Sequence, residues 1–185
     1  MAVRAQVPSA STTIDSADHM IATGRAREAA VLLDALVLQA SNAHDTLTLV
    51  RALNKLTRAW YNLGDLNGAL AQSERVIELG SRTKCWREVG TALVEKAIVV
   101  DQLSPPDTMK ALYERALQCY LLAGDTVACA IVYDNLGYYP LIHHDIAGAI
   151  GYSEKALTCL RDTTHKNYHR SAAVIESSLC NYRTW

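Results

Sequence analysis

The feature that most restricts this chain is an internal repeat. Asp134-Asn135-Leu136-Gly137, then Asp145-Ile146-Ala147-Gly148-Ala149-Ile150 and Ser153-Glu154-Lys155-Ala156-Leu157, has an echo 80 residues upstream. There the chain reads Asp65-Leu66-Asn67-Gly68-Ala69-Leu70 and Ser73-Glu74-Arg75-Val76-Ile77. Midway, Glu114-Arg115-Ala116-Leu117 fills the slot of Glu74–Ile77 and Glu154–Leu157, so the period is 40 residues. A period of this length marks units that cannot bury their apolar faces alone and must stack on their neighbours.

Each unit reads as two helices. In the first, near 10–49, Ile14, Ala17, Met20 and Ile21 have helical spacing, Gly24-Arg25 interrupts it, and Ala29, Leu32, Leu33, Leu36 and Val37 resume it. Asp45 or Thr46 is suited to cap the next helix. The second unit, near 50–89, carries Leu53, Leu56, Trp60 and Leu63, a Gly64-Asp65 turn, a returning helix through Leu79, and Gly80-Ser81 as its end. The third, near 90–129, turns at Ser104-Pro105-Pro106-Asp107 and again at Gly124-Asp125. In the fourth, near 130–169, Pro140 falls late in the first helix, predicting a kink or stop near Tyr139 and irregular structure through His143-His144. A lone helix over 170–185 follows a full period later, and residues 1–9 read as a flexible segment. That last helix is apolar over more than one stripe, which suggests a chain continuing beyond Trp185 and a surface able to pair with a second copy.

Composition narrows the function. A net charge of −1 offers no broad phosphate-binding surface, so nucleic acid is not an expected partner. No apolar run is long enough to cross a membrane, and the N-terminus lacks the apolar core of a signal peptide. Cys85, Cys119, Cys129, Cys159 and Cys180 are scattered without a C-x-x-C pair, as expected for reduced core thiols in the cytoplasm. No nucleophile elbow, triad spacing or phosphate loop appears, so neither an enzyme nor a cofactor is expected. His143-His144-Asp145, with His165 and His169 downstream, is read as solvated histidines rather than a metal site.

The pattern resembles the tetratricopeptide repeat (TPR). Tyr133, Leu136-Gly137, Ala149 and Ala156-Leu157 match that family best. Leu53, Leu56-Thr57, Gly64-Asp65, Ala69 and Val76-Ile77 come next, and the third unit puts Met109 where Ala is usual. The usual TPR period is ~34, shorter than the spacing here. Forty-residue units with Gly-Asp turns look like arrays found ahead of bacterial diguanylate cyclases and transcription regulators. The resemblance implies an all-α, right-handed superhelical solenoid of antiparallel helix pairs, whose first helices line a concave groove. It implies protein or peptide binding, with a sensory or dimerisation module of a larger signalling protein as the alternative.

By register, the groove would present Asp15, Asp18, Arg51, Asn54, Lys55, Arg58, Tyr61, Glu95, Ile98, Asp101, Asp134, Asn135, Tyr138, Val174 and Ile175. Arg51, Asn54, Lys55, Arg58 and Tyr61, with Asn135 and Tyr138, are the expected partner-binding set. The three cations suit an acidic or carboxylate-bearing segment. The competing reading is internal pairing, since Asp15, Lys55 and Glu95 share one register position and Asp18 shares another with Arg58.

Overall fold

The computed structural model describes residues 9–103, 106–160 and 168–183, and every element among them is a helix. They are α1 (Ala10–Ala22), α2 (Ala26–Asn42), α3 (Thr46–Asn62), α4 (Leu66–Thr83), α5 (Trp86–Asp101), α6 (Pro106–Ala123), α7 (Thr126–Leu136), α8 (Tyr138–Ile142), α9 (Ile146–Leu160) and α10 (Tyr168–Arg183). Residues 1–8, expected to be flexible, lie outside the described residues, as do Ser104 and Pro105 of the third turn and His165.

The turns explain the repeat. Gly24, Gly64 and Gly124 have φ of +80°, +80° and +66°; His44, Lys84 and His144 have φ of +55°, +59° and +58°. These residues fall on a 20-residue grid, with one left-handed residue closing each described hairpin turn. Glycine takes that conformation without a Cβ penalty, whereas the other residues bear a steric cost. The next residue starts the following helix. Asp45, Asp65 and Asp125 accept hydrogen bonds from the backbone N–H of Thr48, Gly68 and Ala128, at 3.1, 2.8 and 3.0 Å. Asp145 takes the same bond from Gly148 at 2.8 Å.

The chain divides into two compact units, 1–88 and 89–185, with the division inside α5. In the first, α1 packs on α2, α2 on α3, α3 on α4, and α1 also meets α3. Ala17, Ile21, Ala29, Leu33, Leu36, Ala52, Leu56 and Ala59 form a buried cluster there. In the second unit α6 packs on α7, α7 and α8 on α9, and α10 on both α7 and α9. Val127, Ala130, Ala156, Leu160, Ala172 and Ile175 make its buried cluster. Ala29, Ala69, Met109 and Ala149, which recur one period apart, are all buried, with at most 3 % of their surface exposed. Small side chains there let the paired helices approach. Gly90 of α5 does the same: a Cβ would lie 2.9 Å from the buried Tyr120 ring of α6.

Four expectations change. Gly80 does not end its helix; α4 continues to Thr83 with Gly80 buried, and the left-handed Lys84 stops it. The fourth-unit break lies at Gly137, between α7 and α8, and Pro140 sits within α8. Proline cannot donate to the carbonyl four residues back and its ring crowds that carbonyl, so the break falls a turn upstream, after Leu136. Tyr139 then fixes α8, its hydroxyl donating to Asp107 Oδ1 at 2.6 Å while Lys110 Nζ lies 4.7 Å from its ring centre. Finally, α10 buries Ala172, Ile175 and Leu179 but exposes Ala173, Val174, Glu176, Ser177 and Cys180, a more mixed outer face than its sequence suggested. Cys129 alone of the cysteines is buried, and Cys180 is exposed, so they are not uniformly core thiols.

Candidate functional site

Five of the seven expected partner-binding residues lie on α3 in the first unit; Asn135 and Tyr138 lie on α7 and α8 in the second. Along α3 the spacing Arg51, Asn54, Lys55, Arg58 and Tyr61 follows successive helical turns, which keeps their positions near one side of the helix.

Two ion pairs organise this side. Lys55 Nζ donates to Asp18 Oδ2 at 2.6 Å, tying α3 to α1, and both side chains are more than a third exposed. Arg51 Nε donates to Glu88 Oε1 at 3.0 Å, with the arginine half-exposed and Glu88 nearly buried. Each pair joins residues 37 apart. That differs from the register expectation of Asp15 opposite Lys55 and Asp18 opposite Arg58. Neighbouring first helices meet one turn out of phase with the 40-residue repeat, so Asp18 reaches Lys55 and Asp15 stays exposed.

Asn54 is an interior residue, 5 % exposed, rather than an open groove contact. Its Nδ2 donates to the Glu88 carbonyl at 3.0 Å, and its buried Oδ1 has no partner among the described residues. Asn54 therefore holds the backbone at Glu88 while Arg51 holds the Glu88 carboxylate. Arg58 is exposed and Tyr61 half-buried, and both are engaged in interactions of their own.

In the second unit Asn135 is half-buried and Tyr138 exposed. Asp134 is half-buried with Oδ1 unpartnered among the described residues; burial raises its pKa, against the opposing hydrogen bond from Ser178. Ile175, expected in the groove, is buried against α7 and α9, whereas Val174 beside it is exposed. Glu95 is buried and has interactions of its own. Among the described residues no three His, Cys, Asp or Glu side chains converge as a metal site would require. His143 and His144 are exposed in their turn. Glu88 is the partner of Arg51 and Asn54 that sequence reasoning missed, although its offset of 37 from Arg51 repeats that of Lys55 from Asp18.

No helix among the described residues is long and apolar enough to cross a membrane. No protein-family model matches the sequence, and no curated protein does. Solved structures do match its fold. A Podosopora anserina kinesin light chain of nearly identical TPR-like repeats superposes with a TM-score of 0.68 at 14 % identity, over 94 % of this chain and 84 % of that one. A single-substitution variant of that protein gives the same values. BtubC (BKLC) from P. vanneervenii matches with a TM-score of 0.55 at 15 % identity, over 96 % of this chain and 87 % of that one. The fold is that of TPR-like repeat proteins, an all-α array of stacked helix pairs.

Proposed function

We propose that this chain is a non-catalytic repeat scaffold that captures an acidic peptide or protein segment on the first-helix side of its first unit. Arg51, Lys55 and Arg58 supply the positive charge and Tyr61 an amphipathic wall. Asn54 keeps Glu88, and through it Arg51, in place. Asn135 and Tyr138, in the second compact unit, carry no charge and would make an uncharged contact of their own. The segment is met in the cytoplasm, with the thiols reduced.

The observation that supports this reading is the pair of carboxylates already seated on these cations. Asp18 on Lys55 and Glu88 on Arg51 occupy the positions that a ligand's carboxylates would take. The Asp18–Lys55 pair is partly exposed, and exposed pairs contribute only ~0–1 kcal/mol, so exchange for an external carboxylate costs little. The test is anisotropy of a labelled Glu/Asp-rich peptide across a salt series, with Arg58→Glu as the variant. A loss of about tenfold, ~1.4 kcal/mol, at unchanged thermal stability fits the proposal. Unchanged affinity with lost stability assigns the charges to the fold alone. The rival roles, a sensory module of a larger bacterial signalling protein and self-association through α10, make other predictions. Self-association requires a concentration-dependent mass that Val174→Asp abolishes.

A further inference from the structure

We propose that the corner formed by α8, the start of α9 and the end of α10 is a binding pocket for a small, uncharged, largely apolar molecule carrying one or two hydrogen-bonding groups. A recess of about 410 Å³ opens there. Tyr138, Leu141 and Ile142 of α8 line it, with His144 in the turn, Ile146 of α9, and Asn181 and Tyr182 of α10. All of these residues lie in the second unit. The volume falls in the range of small-molecule sites, ~300–1,000 Å³.

The repeat shows that this corner is specialised. Position 138 corresponds to Asp18, Arg58 and Ile98 in the other units; position 142 to Ala22, Asn62 and Gln102; position 146 to Ala26, Leu66 and Pro106. The fourth unit alone puts a large apolar or aromatic residue at all three. It is also the unit whose first helix is interrupted, at Gly137, between α7 and α8, although the backbone there stays near helical values (φ −61°, ψ −22°). Leu141, Ile142 and Ile146 remain half-exposed around the recess, and Tyr138 is 51 % exposed. Apolar surface left in water at one place favours whatever removes it.

The chemistry of the lining selects the ligand. Among the described residues no Asp, Glu, Lys or Arg borders the recess, so a charged molecule would lose hydration without gaining a counter-charge from them. The Tyr138 hydroxyl and the exposed His144 ring offer a donor and an acceptor to orient a polar function, while Asn181 and Tyr182 have interactions of their own and serve as wall. A fused or linked pair of rings with one aryl amine or hydroxyl, neutral at pH 7, meets both demands. This inference does not rest on the acidic-peptide reading, whose cations belong to the first unit.

The experiment titrates the full chain with the uncharged fluorophore N-phenyl-1-naphthylamine. Saturable enhancement at one site per chain is expected. Ile146→Trp, which fills the recess, and Ile142→Gln, which makes it polar, should each weaken binding at least tenfold while the helical circular dichroism and the acidic-peptide affinity stay as in the parent. No saturable enhancement, or enhancement untouched by both substitutions, overturns the proposal. So does binding that declines as protein concentration rises and the sedimenting mass doubles, since a second copy would then occupy the recess.

Discussion

Replacing Asp18 by Asn tests whether the internal carboxylates stand in for a ligand. The substitution keeps the side chain's shape and removes the charge that Lys55 holds at 2.6 Å. Two unit charges at ~4 Å attract by about 4 kcal/mol at an effective dielectric of 20 and about 1 kcal/mol in water. Here the lysine and aspartate side chains are 35 % and 44 % exposed, so solvent screening puts the pair near the measured range for surface pairs, ~0.2–1 kcal/mol. Asp18→Asn should therefore lower unfolding free energy by no more than about 1 kcal/mol, read from urea denaturation. The competitor for Lys55 is then gone, and affinity for a Glu/Asp-rich peptide should rise by up to about the same energy, roughly fivefold. Salt should weaken that gain, because the contact is solvent-exposed. The reasoning is refuted if peptide affinity falls or stays constant. It is equally refuted if the stability loss exceeds about 3 kcal/mol, which would mark Asp18–Lys55 as a buried structural pair.

Three further outcomes are expected. Asp134 has a carboxyl pKa raised by burial, so between the ordinary and the raised value the native state binds more proton than the unfolded chain. Its contribution is fully present below the ordinary Asp pKa of ~3.9 and is lost as pH rises through the raised native value; Asp134→Asn should thus stabilise the protein at pH 7 but not at pH 3, measured by urea midpoints at both. Gly90→Ala should destabilise by about 1–3 kcal/mol, since the new Cβ meets the Tyr120 ring at 2.9 Å inside the core; a thermal midpoint equal to the parent's would show that the ring yields freely. Lys84→Gly should stabilise by about 1 kcal/mol, because Lys84 carries a steric penalty at φ +59° that glycine avoids; a lower melting temperature would mean that the lysine side chain holds something its backbone strain conceals.

Much of this architecture was legible because its causes are local. Gly64-Asp65 and Gly124-Asp125 pair a left-handed stop with a side-chain cap, both properties of single residues, and the turns stand where those residues do. The recurring small or slim residues Ala29, Ala69, Met109 and Ala149 are buried as the period required, because a helix presents the same face each time the pattern returns. His44, Lys84 and His144 were harder to see. They hold the glycine slot without being glycine, and only their place on the 20-residue grid could have given them away.

Residue order alone was enough to show that the chain is helical, that its turns recur in phase with the repeat, and which small residues are buried; propensity, capping and periodicity act over a few turns. What faces what across helices emerges only from the packed fold. The pairing of Asp18 with Lys55 and Arg51 with Glu88 depends on how far one helix slides along its neighbour, a quantity set by side-chain packing and carried by no single residue. The same holds for the recess beside α8: Pro140 sets the break locally, one turn upstream of itself, but the gathering of Tyr138, Ile146 and Tyr182 around one space comes from α8, α9 and α10 together.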